Sequence, residues 1–383
     1  MMTLNVDFCL KSVKIKRTNQ RILSGRMWVD RLSLNYFDIM VLDCLSKING
    51  ERTGSAVFHL FKGKRSSQTI QDAGLFQTAR YFGMAPQCSR SDISASLRKL
   101  EQQSFLEPMS ETDTYRVTIR GESMLRQALS ERPWPAHCHG AYFQQAASVL
   151  WKRLSLLVQV LSNKQHSSRQ YIPVTKDYKT LHWVKRYMHK QKDHEKLARG
   201  LQDMLENHLQ KLDEKAALIF VYSLTSYNRI GYTSRQLADN LKEDEWYVYV
   251  LFWAAVHYFI HSLPQCEDSI LKDFLSDVHL ENALTESTRK TWQMVRQGIP
   301  IQRIAEIRKL KTATIEDHIV EISLHEPAFV IDGYISAEDQ LQIAEFAKRM
   351  RTNKIKQIRE GLEQRFSYFQ IRLALAKQVK QYD

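Results

Sequence analysis

The sequence predicts a mainly α-helical protein: an N-terminal winged helix with a small β-wing, a helical middle region and a C-terminal helix-turn-helix domain. Three observations carry this. The 383 residues include only 13 Gly and 8 Pro, while Leu, Lys, Gln and Glu, which lose little rotamer freedom in a helix, are abundant. Apolar residues recur at helical spacing through most of the chain. Near residue 300 a short helical segment, a basic turn and a second helical segment follow one another.

The chain is too long for one ordinary core, so two or three domains are expected. The first, 1–135, ends at the helix stop Glu131-Arg132-Pro133-Trp134-Pro135. A helical domain at 141–290 and a tail at 291–383 follow. Apolar content of 43% with 25% charged residues is that of a folded soluble protein. The net charge of +13 favours a polyanionic partner: DNA, RNA or an anionic membrane. Basic residues outnumber acidic ones 20 to 13 in 1–140, 20 to 17 in 141–290 and 15 to 12 in 291–383, so the excess is largest in the first domain.

In chain order, Leu34–Ile48 carries one apolar stripe and reads as a helix. Residues 91–100 form another, with Ile93, Leu97 and Leu100 on one face and Ser89 as N-cap. Phe105-Leu106-Glu107, a polar turn at 110–113 and a strand at 115–119 complete a winged helix, after which Thr118–Leu125 returns to helix. In the middle region, Val149, Leu150, Leu154, Leu157, Val158 and Leu161 form one helical stripe, and Leu197, Leu201, Leu205, Leu209 and Leu212 another. Gly231–Asp239 reads as a capped helix after a turn. The apolar stretch Trp246–Leu263 is near the lower length limit of a membrane span, contains His257 and His261, and follows an acidic flank; it reads as a buried core helix.

Several chemistries find no motif. Gly63-Lys64-Arg65 lacks both the glycine at 58 and the hydroxyl at 65 that a phosphate-binding loop needs. No zinc-protease, serine-hydrolase or dinucleotide motif occurs. Five scattered cysteines without a Cys-x-x-Cys suggest reduced thiols and a cytoplasmic location, and the start of the chain does not read as a signal peptide. His137-Cys138-His139 has no second ligand pair at zinc-finger spacing and reads as a loop. Glu243-Asp244-Glu245 reads as a helix start. The expectation is no enzyme, no cofactor and no metal.

Nucleic-acid binding is the better fit. Lysines, arginines and amides at helix starts supply phosphate contacts. The candidates in the first domain are Lys62, Lys64 and Arg65 in a loop, Ser89, Arg90 and Ser91 at a helix start, and Arg98 and Lys99 on that helix. In the tail they are Arg303, Arg308, Lys309 and Lys311, then Lys348, Arg351, Lys354 and Lys356 in a run without an acid. Ile315, Ile319 and Ile322 should face the core of the tail, leaving Glu316, Asp317 and Glu321 exposed, which suits a major groove poorly.

Two resemblances sharpen this. Residues 296–380, from Gly298-Ile299-Pro300-Ile301 to Phe369-Gln370-Ile371-Arg372, resemble the helix-turn-helix domain at the C-termini of RecQ-type helicases. Residues about 50–128, with Phe61-Lys62-Gly63-Lys64 and Tyr81-Phe82-Gly83, resemble the winged RecQ-C-terminal domain. Together they resemble the YpbB-like family of bacterial proteins, which combine such ends without a helicase motor. The resemblance implies a DNA-binding accessory of a RecQ-type helicase in DNA repair or recombination, with DNA and the helicase as partners and no membrane. One departure matters. Glu107–Asp113, at the wing, is short and acidic, and carboxylates repel phosphates, so this wing is not expected to separate strands. Two alternatives share the same parts: a transcription regulator, and a protein–protein adaptor that touches no DNA.

Overall fold

The computed structural model describes residues 34–109, 113–265, 269–278, 284–326, 328–350 and 352–378. Eighteen α-helices and one two-stranded sheet occur among them. The elements are α1 (Tyr36–Ile48), α2 (Gly54–Lys62), α3 (Ser67–Leu75), α4 (Arg90–Gln102), β1 (Leu106–Pro108), β2 (Tyr115–Val117) and α5 (Ile119–Glu131). The middle follows with α6 (Gly140–Gln165), α7 (Tyr178–Lys190), α8 (His194–Leu209), α9 (Glu214–Tyr222), α10 (Ser234–Leu241), α11 (Glu245–His261) and α12 (Ser269–Leu275). The last six are α13 (Glu286–Val295), α14 (Ile301–Arg308), α15 (Thr312–His325), α16 (Ala337–Met350), α17 (Ile355–Gly361) and α18 (Tyr368–Gln378).

These elements group into two compact units, one of residues 1–39 with 127–280 and one of 40–126 with 281–383. The grouping cuts across the three consecutive regions expected from the sequence: residues 40–126 and 281–383, far apart along the chain, belong to one unit. The reason is apolar. Helix α3 packs against α15 and α18, and Leu75 joins the cluster built by Ile319, Ile322, Ile343, Ile358 and Ile371. A polar strap adds to it, since the Asn353 amide donates to both Glu51 carboxylate oxygens at 2.8 and 2.9 Å.

The N-terminal half of this terminal unit is built on α1, whose Met40, Val41, Leu42 and Leu45 are buried. Asp43, on the same helix, is buried with its counter-ions Arg80, at 2.7 Å, and Lys47, and accepts a hydrogen bond from the Tyr81 hydroxyl at 2.6 Å. Burial alone would raise its pKa, but those partners outweigh it and hold the carboxyl below the usual range. Gly63 ends α2 in the left-handed region at φ 68°, as a C-cap glycine does. Strands β1 and β2 pair antiparallel, with Leu106 opposite Val117, and Thr53 bridges Thr114 beside them. The second strand is shorter than 115–119, because Thr118 turns the chain and Ile119 already opens α5. There a Cβ on Gly121 would lie 2.3 Å from the Phe105 carbonyl, so α5 can approach the hairpin only through a glycine.

The middle unit is helical, as its stripes implied. Its centre is α11, buried at twelve positions, which is why its sequence is apolar all round. The Asp244 carboxylate accepts the Tyr247 amide at 2.9 Å and caps α11, and Glu243 pairs with Arg132 and Lys215, so this acidic triplet is a helix start. Phe220 stacks near Phe259 and Trp151 meets Phe252 edge-on. Arg153 grips Asp277 with both guanidinium nitrogens at 2.6 and 2.8 Å and lies over Trp183. Cys138 is buried in the loop before α6, between His137 and His139. Among the described residues no helix is long and apolar enough to cross a membrane.

Candidate nucleic-acid interface

Two helices could present a face to nucleic acid, α4 and α15, and the structure treats them differently. Helix α4 starts with a capping box. The Ser89 hydroxyl accepts the Asp92 amide at 3.2 Å, and Asp92 accepts the Ser89 amide at 2.8 Å. Ile93, Leu97 and Leu100 point into the core as expected. The opposite face is open: Ser91, Ser94, Ala95, Arg98 and Gln102 are all exposed. Small and hydroxyl side chains with one arginine, bordered by exposed Glu101, leave room for a close approach and offer hydrogen bonds to phosphates or base edges.

Its flanks are basic, though not uniformly free. Lys64 and Arg65 are exposed, and Lys62 donates to the Pro86 carbonyl. Arg90 donates to the Ser55 hydroxyl at 3.0 Å and lies 4.8 Å from the Phe58 ring centroid. Arg65 reaches towards α15, where its charge adds to burial in pushing His325 down to about 4. Lys99 is half-buried, while Arg98 beside it stands clear. Residues 110–112, where the tip of the expected wing falls, lie outside the described residues.

Helix α15 is enclosed. It packs against α13, α14 and α18, and also against α3 from the other end of the chain. From His318 to Ser323 every residue is buried. This corrects the expectation that Glu321 faces solvent: it is 2% exposed. Its carboxylate accepts the Thr285 amide and the Thr288 hydroxyl, the latter at 2.6 Å, and so anchors the start of α13. Burial raises its pKa, and these hydrogen bonds work against the rise. Asp317 pairs with Arg372. Only the first turn of α15, Thr312 and Ala313, is open, flanked by exposed Lys309 and Lys311.

Arg308 serves the fold. It donates to the Ser287 carbonyl at 2.8 Å and hydroxyl at 3.0 Å and to Thr291, tying α14 to α13. Thr291 in turn meets His318 Nδ1 at 2.8 Å, and burial followed by the Arg308 charge pushes His318 down to about 4. Arg303 pairs with Glu306 at 2.7 Å on the surface. Lys348 and Lys356 are exposed, Lys354 is half-buried as the residue before α17, and Arg351 lies outside the described residues. The structure therefore brings together the loop lysines and α4 on one side, and Lys309, Lys311 and the first turn of α15 on another. Residues Ser94, Ala95 and Gln102 of the α4 face were not singled out by sequence; helical spacing from Ser91 and Arg98 would have found them.

Residues 287–375 match the family model of a helix-turn-helix domain, which covers α13 through most of α18. This is a mainly helical protein with a helix-turn-helix domain, a class whose usual role suggests DNA binding. The chain belongs to the YpbB family: it is 81% identical to Protein YpbB of Bacillus subtilis (strain 168) over 352 residues, 92% of this chain and all of the relative. No solved structure matches it.

Proposed function

We propose that this protein is a non-enzymatic, DNA-binding accessory protein whose main duplex contact is α4. The observation that carries the reading is the contrast between two helices of one unit: α4 has an open polar face with Arg98 at its centre, whereas α15 is enclosed from His318 to Ser323. The order α1, the Thr53 bridge, α2, α4, the β1–β2 hairpin and α5 suits a winged helix with α4 as its recognition helix. Lys64 and Arg98 then hold phosphates, with the Ser89 and Ser91 helix start beside them. The tail contributes Lys309 and Lys311 to a second phosphate contact, while the body of its helix-turn-helix is a structural partner of the first domain.

A RecQ-type helicase as partner, and a place in DNA repair or recombination in the cytoplasm, rest on the resemblance of the two ends to the accessory domains of such helicases. The enclosed α15 also favours a second reading, in which the tail docks protein and the chain is an adaptor.

The test is binding of the full chain to labelled duplex and forked DNA across a salt series. The double variant Lys64→Glu, Arg98→Glu is expected to weaken duplex binding about tenfold or more, and to flatten the salt dependence by about two counter-ions. Lack of duplex binding by the unaltered protein at physiological salt would leave the adaptor. DNA-stimulated ATP hydrolysis would overturn the non-enzymatic reading.

A further inference from the structure

The middle unit carries a long exposed stretch of positive charge. Residues 164–199 hold ten lysines and arginines against three acids, whereas the rest of 141–290 holds ten against fourteen. The modest total for the region conceals this segment. All ten cations are exposed, and among the described residues no ion pair engages any of them. Two of the three acids are turned to helix amides: Asp177 caps α7 and Asp193 caps α8.

Three of these cations line a cleft. Between the C-terminal turns of α6, the loop after it and α7 lies a cavity of about 820 Å³. Leu156, Leu181, Val184 and Met188 line it with apolar surface, and Lys164, Arg169 and Lys185 are its cations. Tyr171 is a further wall. Along α7 the spacing places Tyr178, His182, Lys185 and His189 on one stripe, with Lys179, Arg186 and Lys190 on the next. Tyr178 is 78% exposed and its ring is stacked with His182 at 6.2 Å. A large aromatic left in solvent beside unpaired cations is the composition of a stacking platform.

We propose that this cleft and the α7 surface bind single-stranded nucleic acid, with phosphates along the cations and an unstacked base in the apolar cleft. A duplex hides its base faces, so an apolar floor gives it nothing. A single anionic head group would use the cations at the cleft and leave Lys179, Arg186 and Lys190 idle, whereas the length of α7, about 20 Å, suits several consecutive phosphates. This surface lies in a different unit from α4, and does not depend on α4 binding duplex.

The test uses the full chain and a labelled single strand of about twelve nucleotides, intact or with abasic positions. Lys164→Glu, Arg169→Glu, Lys185→Glu is expected to weaken binding of the intact strand about tenfold and to lower the salt slope by about two. Arg98→Glu is expected to leave single-strand binding unchanged, so this proposal and the α4 reading fail separately. The abasic strand should bind the unaltered protein at least about fivefold more weakly. Equal binding of the two strands overturns the base-in-cleft arrangement, and this comparison needs no variant to fold. Single-strand binding untouched by a folded triple variant, or displacement of the strand by polyglutamate at equal charge, overturns the proposal.

Discussion

At the scale of residues, the same side-chain type does different work according to what surrounds it. Arg98 stands in solvent, whereas Arg308 is engaged by Ser287 and Thr291. Replacing Arg308 with Ala should therefore destabilise the terminal unit by roughly 0.5–1.5 kcal/mol, through loss of the hydrogen bonds that tie α14 to Ser287 and Thr291. Thermal melts of Arg308→Ala and Arg98→Ala should separate the two, with only the former shifted. His318 is buried and His325 half-buried, and desolvation pushes each down to about 4. The unfolded chain binds their protons near pH 6.5 and the folded one does not, so their neutral forms support the fold fully above about 6.5. That support is lost as pH falls from 6.5 towards 4, by up to about 1.4 kcal/mol per pH unit for each histidine. Melts at pH 7 and pH 5 should show the loss, and His318→Gln should show a smaller difference between them.

At the scale of elements, α4 and α5 depend on local devices that sequence could partly reveal. Ser89 was legible as a cap, and its reciprocal bond with Asp92 makes a full capping box. Ser89→Ala should cost about 1 kcal/mol, read as a lower midpoint in urea unfolding. Gly121 was less legible. Its phrase, Thr118-Ile119-Arg120-Gly121, reads as a return to helix, but the need for glycine comes from the Phe105 carbonyl, fifteen or so residues earlier. Gly121→Ala should shift the hairpin away from α5 and lower thermal stability without removing any charge, and an unchanged melting temperature would contradict the close approach. Helix α11 shows the opposite case. Its uniform apolarity announced a buried helix, and the aromatic residues around Phe220 and Phe259 fill the space beside it.

At the scale of the whole molecule, the finding with most consequence is that residues 40–126 and 281–383 build one unit although the middle of the chain separates them. Helix α3 gives its Leu75 to the core of the C-terminal helices, and Glu51 holds the Asn353 amide. A chain ending at residue 280 should therefore fail to fold residues 40–126 in native form, because the surface of α3 covered by α15 and α18 would be left in water. Limited proteolysis of that truncated chain should cleave within 40–126, where the full chain resists. The two candidate interfaces also belong to this scale, since α4 and the cleft beside α7 lie in different units and are expected to respond to different variants.

The sequence by itself determined the helical class, the capped start of α4, the short hairpin, the buried α11 and the helix-turn-helix at 298–325. Apart from the class, each of these is written in spacing over roughly thirty residues or fewer, which is the range that periodicity and capping reach. Tertiary structure alone decided which helix stays open. Nothing near Glu321 reveals that its carboxylate anchors Thr285 and Thr288, because those partners lie more than thirty residues away. Nor could local spacing join residues 40–126 to 281–383, or show that Lys164, Arg169 and Lys185 line one cleft with Leu156, Leu181 and Met188. Burial and charge clustering are properties of neighbours in space, and only the folded chain assigns them.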